Sequence, residues 1–127
     1  MKGPICYGLA WPGRIESGSS RLDFTKLAAL TFEEADRRRF PGLFLSWDAL
    51  RAAPGSTAVL NAANEVAVES FLDGRLRFDA IHRVNAETLA RVQPTADEAQ
   101  SIGGLLALDE RARAAARALV AQTAGRA

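Results

Sequence analysis

The sequence predicts a mainly α-helical chain. An antiparallel four-helix bundle is expected over residues 40–127, preceded by an arm over residues 1–39 with a short helix and one short strand. Three observations carry this. From Pro41 onward, apolar residues recur at steps of three and four, the period of a helix face. The longest such run, TAVLNAANEVAVESFLDGRLR from Thr57 to Arg77, has a start and a stop built into it. Before residue 40 the chain is instead rich in Gly and Pro and keeps no sustained helical period.

In the arm, Pro4 is tolerated in a first helical turn. Ile5, Cys6, Tyr7, Leu9 and Ala10 follow as an apolar run, and Trp11-Pro12-Gly13 stops it. This reads as a short buried helix, with Cys6 a small buried hydrophobe and Trp11 a core anchor. The segment RIESGSSR is a polar surface loop and matches no phosphate-binding pattern. Ala29-Leu30-Thr31-Phe32 alternates with Leu30 and Phe32 on one face, which predicts a strand. A lone strand has unpaired edges, and no second strand is offered here. The arm is therefore expected to belong to a larger structure. The run EEADRRR, residues 33–39, reads as a solvated turn rather than a docking patch.

In the bundle, Pro41 sits at a first helical residue, and Leu43, Trp47 and Leu50 form the apolar stripe, with Trp47 as anchor. Ala53-Pro54-Gly55 ends that helix. The central helix is capped by Ser56 or Thr57 and closed by Gly74 in a left-handed turn. Its stripe is Val59, Leu60, Ala63, Val66, Ala67, Ser70 and Phe71. Asn61, Asn64 and Glu65 lie in its middle, where polar side chains need partners of their own. The third helix starts from Asp79 as N-cap with Phe78 stapled before it, and carries Ile81, Val84, Thr88 and Val92. Thr95 and Glu98 make a capping box for a short segment to Ile102. Gly103-Gly104 then weakens any continuous helix, Asp109 is a candidate re-cap, and Leu105, Leu108, Ala112, Ala115 or Ala116, and Leu119 form the last stripe, fraying at Thr123-Ala124-Gly125.

The 127 residues suit one domain with an arm, and 48% hydrophobic residues suit a packed core. A net charge of +1 argues against nucleic acid as a partner. The excess of arginine over lysine, 14 to 2, carries no functional reading. One cysteine allows no internal disulfide and no zinc cluster, and fits a reducing, cytoplasmic setting. No apolar run is long enough to span a bilayer. The N-terminal MKGPICYGLAWPG is broken by Pro4, Gly8 and Pro12 and does not read as a signal peptide.

No side-chain constellation is suited to run a reaction unaided, so no catalytic residue and no metal ligand is assigned. His82, the single histidine, has no Ser, Cys or second His at motif spacing and reads as a surface residue. Glu65, Glu69 and Asp73 align four apart on one helix face. A Mg²⁺- or Mn²⁺-binding bundle is one reading of them. Their mutual repulsion, and Asp73 at the negative end of the helix dipole, favour a solvated acidic face balanced by Arg75, Arg77 and Arg83.

Ordered pieces of the chain carry a family resemblance: ICYGLAWP at Ile5 to Pro12, LDFTKLAALTF at Leu22 to Phe32, Arg39-Phe40-Pro41, and LNAANE at Leu60 to Glu65. Together they resemble the C-terminal part of 1-deoxy-D-xylulose 5-phosphate reductoisomerases, most clearly from residue 4 to about residue 92. The resemblance implies an enzyme that converts 1-deoxy-D-xylulose 5-phosphate to 2-C-methyl-D-erythritol 4-phosphate, in the non-mevalonate route to isoprenoid precursors. It implies NADPH and a divalent metal, Mg²⁺ or Mn²⁺, as cofactors, and a homodimer. It places residues 1–39 at the end of the catalytic domain and the connector, and residues 40–127 in the C-terminal helical bundle.

The family's metal ligands, phosphate-binding residues, active-site loop and dinucleotide fingerprint would fall before Met1. Only Met1 is carried over, as a candidate contact to the nicotinamide cofactor. Asn64 and Glu65 match the family motif as structural residues. The chain is thus expected to act with the N-terminal and catalytic domains of the same enzyme and to be inactive alone. The competing expectation is a free-standing helical interaction module.

Overall fold

The computed structural model describes residues 1–27 and 29–124, the side chain of Ala124 apart. It divides into two compact units, Met1–Glu34 and Ala35–Ala127. Among the described residues the regular structure is helical, and no helix is long and apolar enough to cross a membrane.

The first unit contains helix α1, Lys2–Ala10. The expected helix is present, but it buries no residue. Cys6 is half-buried and Trp11 is 68% exposed, so neither is the core residue the sequence suggests. Local contacts hold the segment instead. Tyr7 and Trp11 meet edge to face with ring centroids 5.6 Å apart, and the Arg14 guanidinium lies 4.9 Å from the Tyr7 ring centre. Further on, Asp23 Oδ1 accepts hydrogen bonds from the backbone N–H and the hydroxyl of Thr25 at 3.0 and 2.6 Å, an Asx-type turn. The strand expected at residues 29–32 is absent. A strand exists only as part of a hydrogen-bonded ladder, and no described segment pairs with this one. Leu30 and Phe32 stay 69% and 91% exposed.

The second unit is the helical bundle: α2 Pro41–Arg51, α3 Ser56–Leu72, α4 Ile81–Arg91 and α5 Ile102–Ala124. One buried cluster joins Val66 and Ala67 of α3 to Val84 of α4 and to Ala116, Leu119 and Val120 of α5. A second joins Val59 and Ala62 of α3 to Val92, just past α4, and to Leu108 and Ala112 of α5. The early half of α3 thus meets the end of α4 and the early half of α5. Successive helices are antiparallel and alternate ones parallel, as in an up-down bundle with short loops. Alanines face one another across α3 and α5, so the helices are joined through small side chains. The buried hydroxyls of Ser70 and Thr88 donate to the carbonyls of Val66 and Val84, each at 2.8 Å, which leaves neither donor unsatisfied.

The helix ends follow local chemistry, with exceptions. Pro41 is in the first turn of α2 as expected. Gly74 takes φ +72°, and the amides of Arg75 and Leu76 both donate to the Ser70 carbonyl at 2.8 and 3.1 Å. Leu76 then drops into the core, a Schellman-like stop with its apolar contact. The start of α3 differs from expectation. Its N-cap is Gly55 at φ 95°, and neither Ser56 nor Thr57 caps through its side chain. Ser56 is inside the helix and buried.

Asp79 does not cap α4 either. It lies in a 3₁₀ turn, Phe78–Ala80, and binds Arg77 through two hydrogen bonds of 2.9 and 3.1 Å. Phe78 rests edge-on against Phe71, at 5.6 Å between ring centroids.

The Thr95–Glu98 box forms in both directions: Thr95 N–H donates to Glu98 Oε2 at 2.8 Å, and Glu98 N–H to Thr95 Oγ1 at 3.3 Å. It frames a 3₁₀ turn, Glu98–Gln100, rather than a helix. The Gly103-Gly104 pair does not break α5, and Asp109 is not its cap. Ser101 Oγ accepts the Gly104 N–H at 3.0 Å, so the start lies eight residues before Asp109. The described part of α5 reaches Ala124; the fraying expected at Gly125 lies outside the described residues.

Helix α2 turns a different face inward from the one its stripe suggests. Ala49 is buried and Phe44 and Leu45 half-buried, while Leu43, Trp47 and Leu50 are 47%, 48% and 65% exposed. Trp47 is therefore not a core anchor. Its ring is covered instead by the Arg51 guanidinium at 5.4 Å. Periodicity reveals that an apolar face exists, not what covers it.

Candidate functional site

The three polar residues in the middle of α3 each find a partner. Asn61 Nδ2 donates to Glu65 Oε1 at 3.0 Å. Glu65 Oε2 accepts from Arg113 Nη2 of α5 at 2.6 Å, across 48 residues of sequence. Arg113 also donates to both carboxylate oxygens of Asp109, one turn earlier in α5, at 2.6 and 3.3 Å. One guanidinium thus bridges two helices and two carboxylates, a geometry suited to the planar fork of arginine. The sequence predicts Arg75, Arg77 and Arg83 as the balancing cations. Arg75 does pair with Asp73, at 2.9 Å, but Arg77 pairs with Asp79 and Glu65 is held by Arg113. Among the described residues no three His, Cys, Asp or Glu side chains converge as a metal ion would need.

The Arg113 hydrogen bond, followed by that of Asn61, holds the Glu65 carboxyl below the usual carboxylate range. Arg113 is pushed up by Asp109 first and Glu65 second. A carboxylate with a depressed folded value contributes stability above its ordinary value, about 4.5, and loses it as the pH falls through the depressed value. Acid should therefore melt the chain in part through Glu65. In Arg113→Met, the drop in melting temperature between pH 7 and acid should be smaller than in the parent chain. Equal drops would remove Glu65 from the acid transition.

Asn64 and Asn85 tie α3 to α4: Asn85 Nδ2 donates to Asn64 Oδ1 at 3.0 Å. Asn85 is 6% exposed, and its Oδ1 is buried without a hydrogen-bond partner among the described residues. Leaving a buried acceptor unpaired is costly, so such atoms are rare and informative. Asn85 is also among the residues that line a groove of about 840 Å³. Leu43 and Ser46 of α2, Leu60 and Asn61 of α3, and Ile81 and His82 of α4 line it as well, together with the charged side chains of Arg38, Arg39 and Asp79. His82 is exposed on the rim, as the sequence suggests.

Neither this pairing nor the groove was legible from residue spacing. Asn64 and Asn85 lie 21 residues apart, and only the antiparallel crossing of α3 and α4 joins them. Met1 lies at the N-cap of α1, 94% exposed.

Comparison with known proteins adds the wider frame. Residues 1–115 match the family described as the DXP reductoisomerase C-terminal domain. A 1-deoxy-D-xylulose 5-phosphate reductoisomerase of Cupriavidus metallidurans is 51% identical over 126 residues, which cover 99% of this chain and 32% of that protein. The corresponding protein of Ralstonia pickettii is 50% identical over 121 residues, 95% of this chain and 30% of its own length. Among solved structures, the reductoisomerase of Zymomonas mobilis in complex with NADPH superposes with a TM-score of 0.79 at 40% identity, over 93% of this chain and 31% of that one. A reductoisomerase with fosmidomycin and magnesium gives a TM-score of 0.79 at 32% identity, over 98% and 33%. The chain spans about a third of the length of the relatives it matches.

Proposed function

The chain belongs to the DXP reductoisomerase family, through the C-terminal domain of that family, and on that premise we propose that it provides the C-terminal helical support of an NADPH-dependent reductoisomerase. The observation that supports this best is the 115-residue match to that domain, reinforced by the superposition on the Zymomonas mobilis enzyme. The reaction proposed for the whole enzyme converts 1-deoxy-D-xylulose 5-phosphate to 2-C-methyl-D-erythritol 4-phosphate in the cytoplasm, with Mg²⁺ or Mn²⁺ and as a homodimer. NADPH would supply the hydride and the divalent ion would polarise substrate oxygens.

The described residues do not fit a divalent ion, because hard cations need several converging oxygen ligands and none converge here. No step of the reaction is therefore assigned to this chain. Its work is mechanical: a packed bundle that holds a neighbouring site in place. Residues 1–39 are proposed as the end of the catalytic domain with its connector, residues 40–127 as the bundle. Met1 is proposed to contact the nicotinamide cofactor through its exposed side chain.

Incubated with NADPH, 1-deoxy-D-xylulose 5-phosphate and Mn²⁺, the purified chain should consume NADPH at the background rate. Placed in the Cupriavidus metallidurans enzyme in exchange for the matching third, it should sustain turnover. Turnover by the chain alone would overturn the supporting role. An inactive but folded hybrid would overturn the family activity.

A further inference from the structure

We propose that a cavity between the late parts of α3 and α5 binds a small organic phosphate, with the guanidinium groups of Arg75, Arg77 and Arg117 on the phosphate and an apolar floor under the organic part. The cavity has a volume of about 650 Å³, within the usual range for small-ligand pockets. Three arginines and a single carboxylate, that of Glu69, line it. The chain as a whole carries a net charge of only +1, so positive charge is gathered here.

The turn that carries two of the arginines is fixed by its backbone. Gly74 takes φ +72°, the amides of Arg75 and Leu76 both donate to the Ser70 carbonyl, and Leu76 is buried between the two arginines. Groups mounted on a fixed turn lose less freedom when a ligand arrives. A guanidinium has five N–H donors. Arg75 uses one of them on Asp73, and Arg77 uses two on Asp79, so both keep donors for a phosphate oxygen. Arg117 makes no ion pair among the described residues. Like charges gathered around one cavity repel, and a bound anion relieves that repulsion.

The dipoles of the helices do not account for these cations. A helix end attracts cations only within its last turn. Neither α3 nor the described part of α5 has a basic residue in its last turn, and Arg117 lies nearly two turns before Ala124. The floor narrows the ligand further. Val66, Leu76 and Val120 line the cavity as well, and an organic ester can cover them where inorganic phosphate cannot. A nucleic acid or a bilayer needs a broad basic face, which this charge balance does not provide.

Phenyl phosphate is the probe, titrated into the 127-residue chain by calorimetry at low salt. It should bind with a Kd below ~1 mM. Arg117→Gln should weaken binding at least ~10-fold. It removes an exposed and unpaired side chain, so the melting temperature of the free chain should not change. Arg117→Lys should recover part of the affinity, because the charge remains and the planar fork does not. Arg91→Gln removes the same charge from a helix position outside the cavity and should change the affinity by no more than ~2-fold.

No binding at ~10 mM phenyl phosphate overturns the proposal. So does equal weakening by Arg91→Gln and Arg117→Gln, because the anion is then held by overall charge alone. Inorganic phosphate that binds as tightly as phenyl phosphate overturns the organic ligand. Vesicles of phosphatidylglycerol and phosphatidylcholine separate a lipid headgroup from a free metabolite. Retention of the chain on them, undiminished by phenyl phosphate, overturns the soluble ligand; no retention supports it. Each of these measurements uses the chain by itself, whereas turnover is read in the hybrid enzyme, so this site and the function proposed above can fail independently.

Discussion

Gly104→Ala is expected to destabilise the helical unit by about 2 kcal/mol, whereas Gly103→Ala, one residue earlier in the same helix, is expected to stabilise it by about 0.5 kcal/mol. On propensity alone both changes should help, because alanine is the better helix former by nearly 1 kcal/mol. The difference lies in what a Cβ would meet. At Gly103 there is nothing within 4 Å. At Gly104 the new atom would fall against the carbonyl oxygen of Glu98, 2.7 Å from its Cα and 2.9 Å from its carbonyl carbon. These are backbone atoms and cannot swing aside as a side chain would.

The Glu98 turn is also pinned from outside. Its carboxylate accepts from the Thr95 backbone and hydroxyl at 2.8 and 3.0 Å, and it pairs with Arg111. Arg111 in turn donates to the Gln93 carbonyl at 3.4 Å. Making room for the methyl group means displacing a turn that four contacts hold, or tilting the first turn of α5. Urea unfolding of the two variants beside the parent chain reads the result. Equal effects at the two positions would show that the turn yields, and that the glycine pair is only a weak helix start.

This pair also marks where sequence reasoning stops. Gly103-Gly104 looks like an interruption because its visible property is low helix propensity. The reason one of them is glycine is a close approach by a segment six residues away, which composition does not display. Features written in adjacent residues were legible: the reciprocal bonds of Thr95 and Glu98, Pro41 in a first turn, the left-handed Gly74, and the stripe of α3. Its polar trio was legible only as a need for partners. Arg113 as the partner of Glu65, and Asn85 as the partner of Asn64, follow from how helices cross, and spacing within one helix holds no record of that.

The α2 face failed for a related reason. Leu43, Trp47 and Leu50 form an apolar stripe with the right period, yet the bundle packs against Ala49, Phe44 and Leu45. An amphipathic pattern made for an external partner looks the same as one made for the core. The residues 29–32 present the same ambiguity in extended form: an alternating pattern specifies a strand only where a neighbouring strand exists.

Leu108→Ala is expected to cost about 3 kcal/mol, the largest effect of any single change considered, and to lower the melting temperature by roughly 12–24 °C in a unit of this size. Leu108 is fully buried, and it joins Val59 and Ala62 of α3 to Val92 after α4. Its neighbours include alanines, whose short side chains cannot move in to fill the space left behind. Leu106→Ala, at a position 62% exposed on the same helix, should stay within about 0.5 kcal/mol.

The site also couples to the start of α3. A Cβ placed on Gly55 would lie 3.0 Å from Leu108 Cδ2 and 3.0 Å from Pro94 Cβ, at a φ of +95° that resists any side chain. Gly55→Ala should therefore be destabilising by itself. Combined with Leu108→Ala it should cost less than the sum of the two, because truncating Leu108 removes one of the two contacts the new methyl meets. The backbone strain and the Pro94 contact remain, so the coupling is partial. Strict additivity in a double-mutant cycle would show that the φ of Gly55, and not the packing of Leu108 against it, is what requires glycine at the head of the central helix.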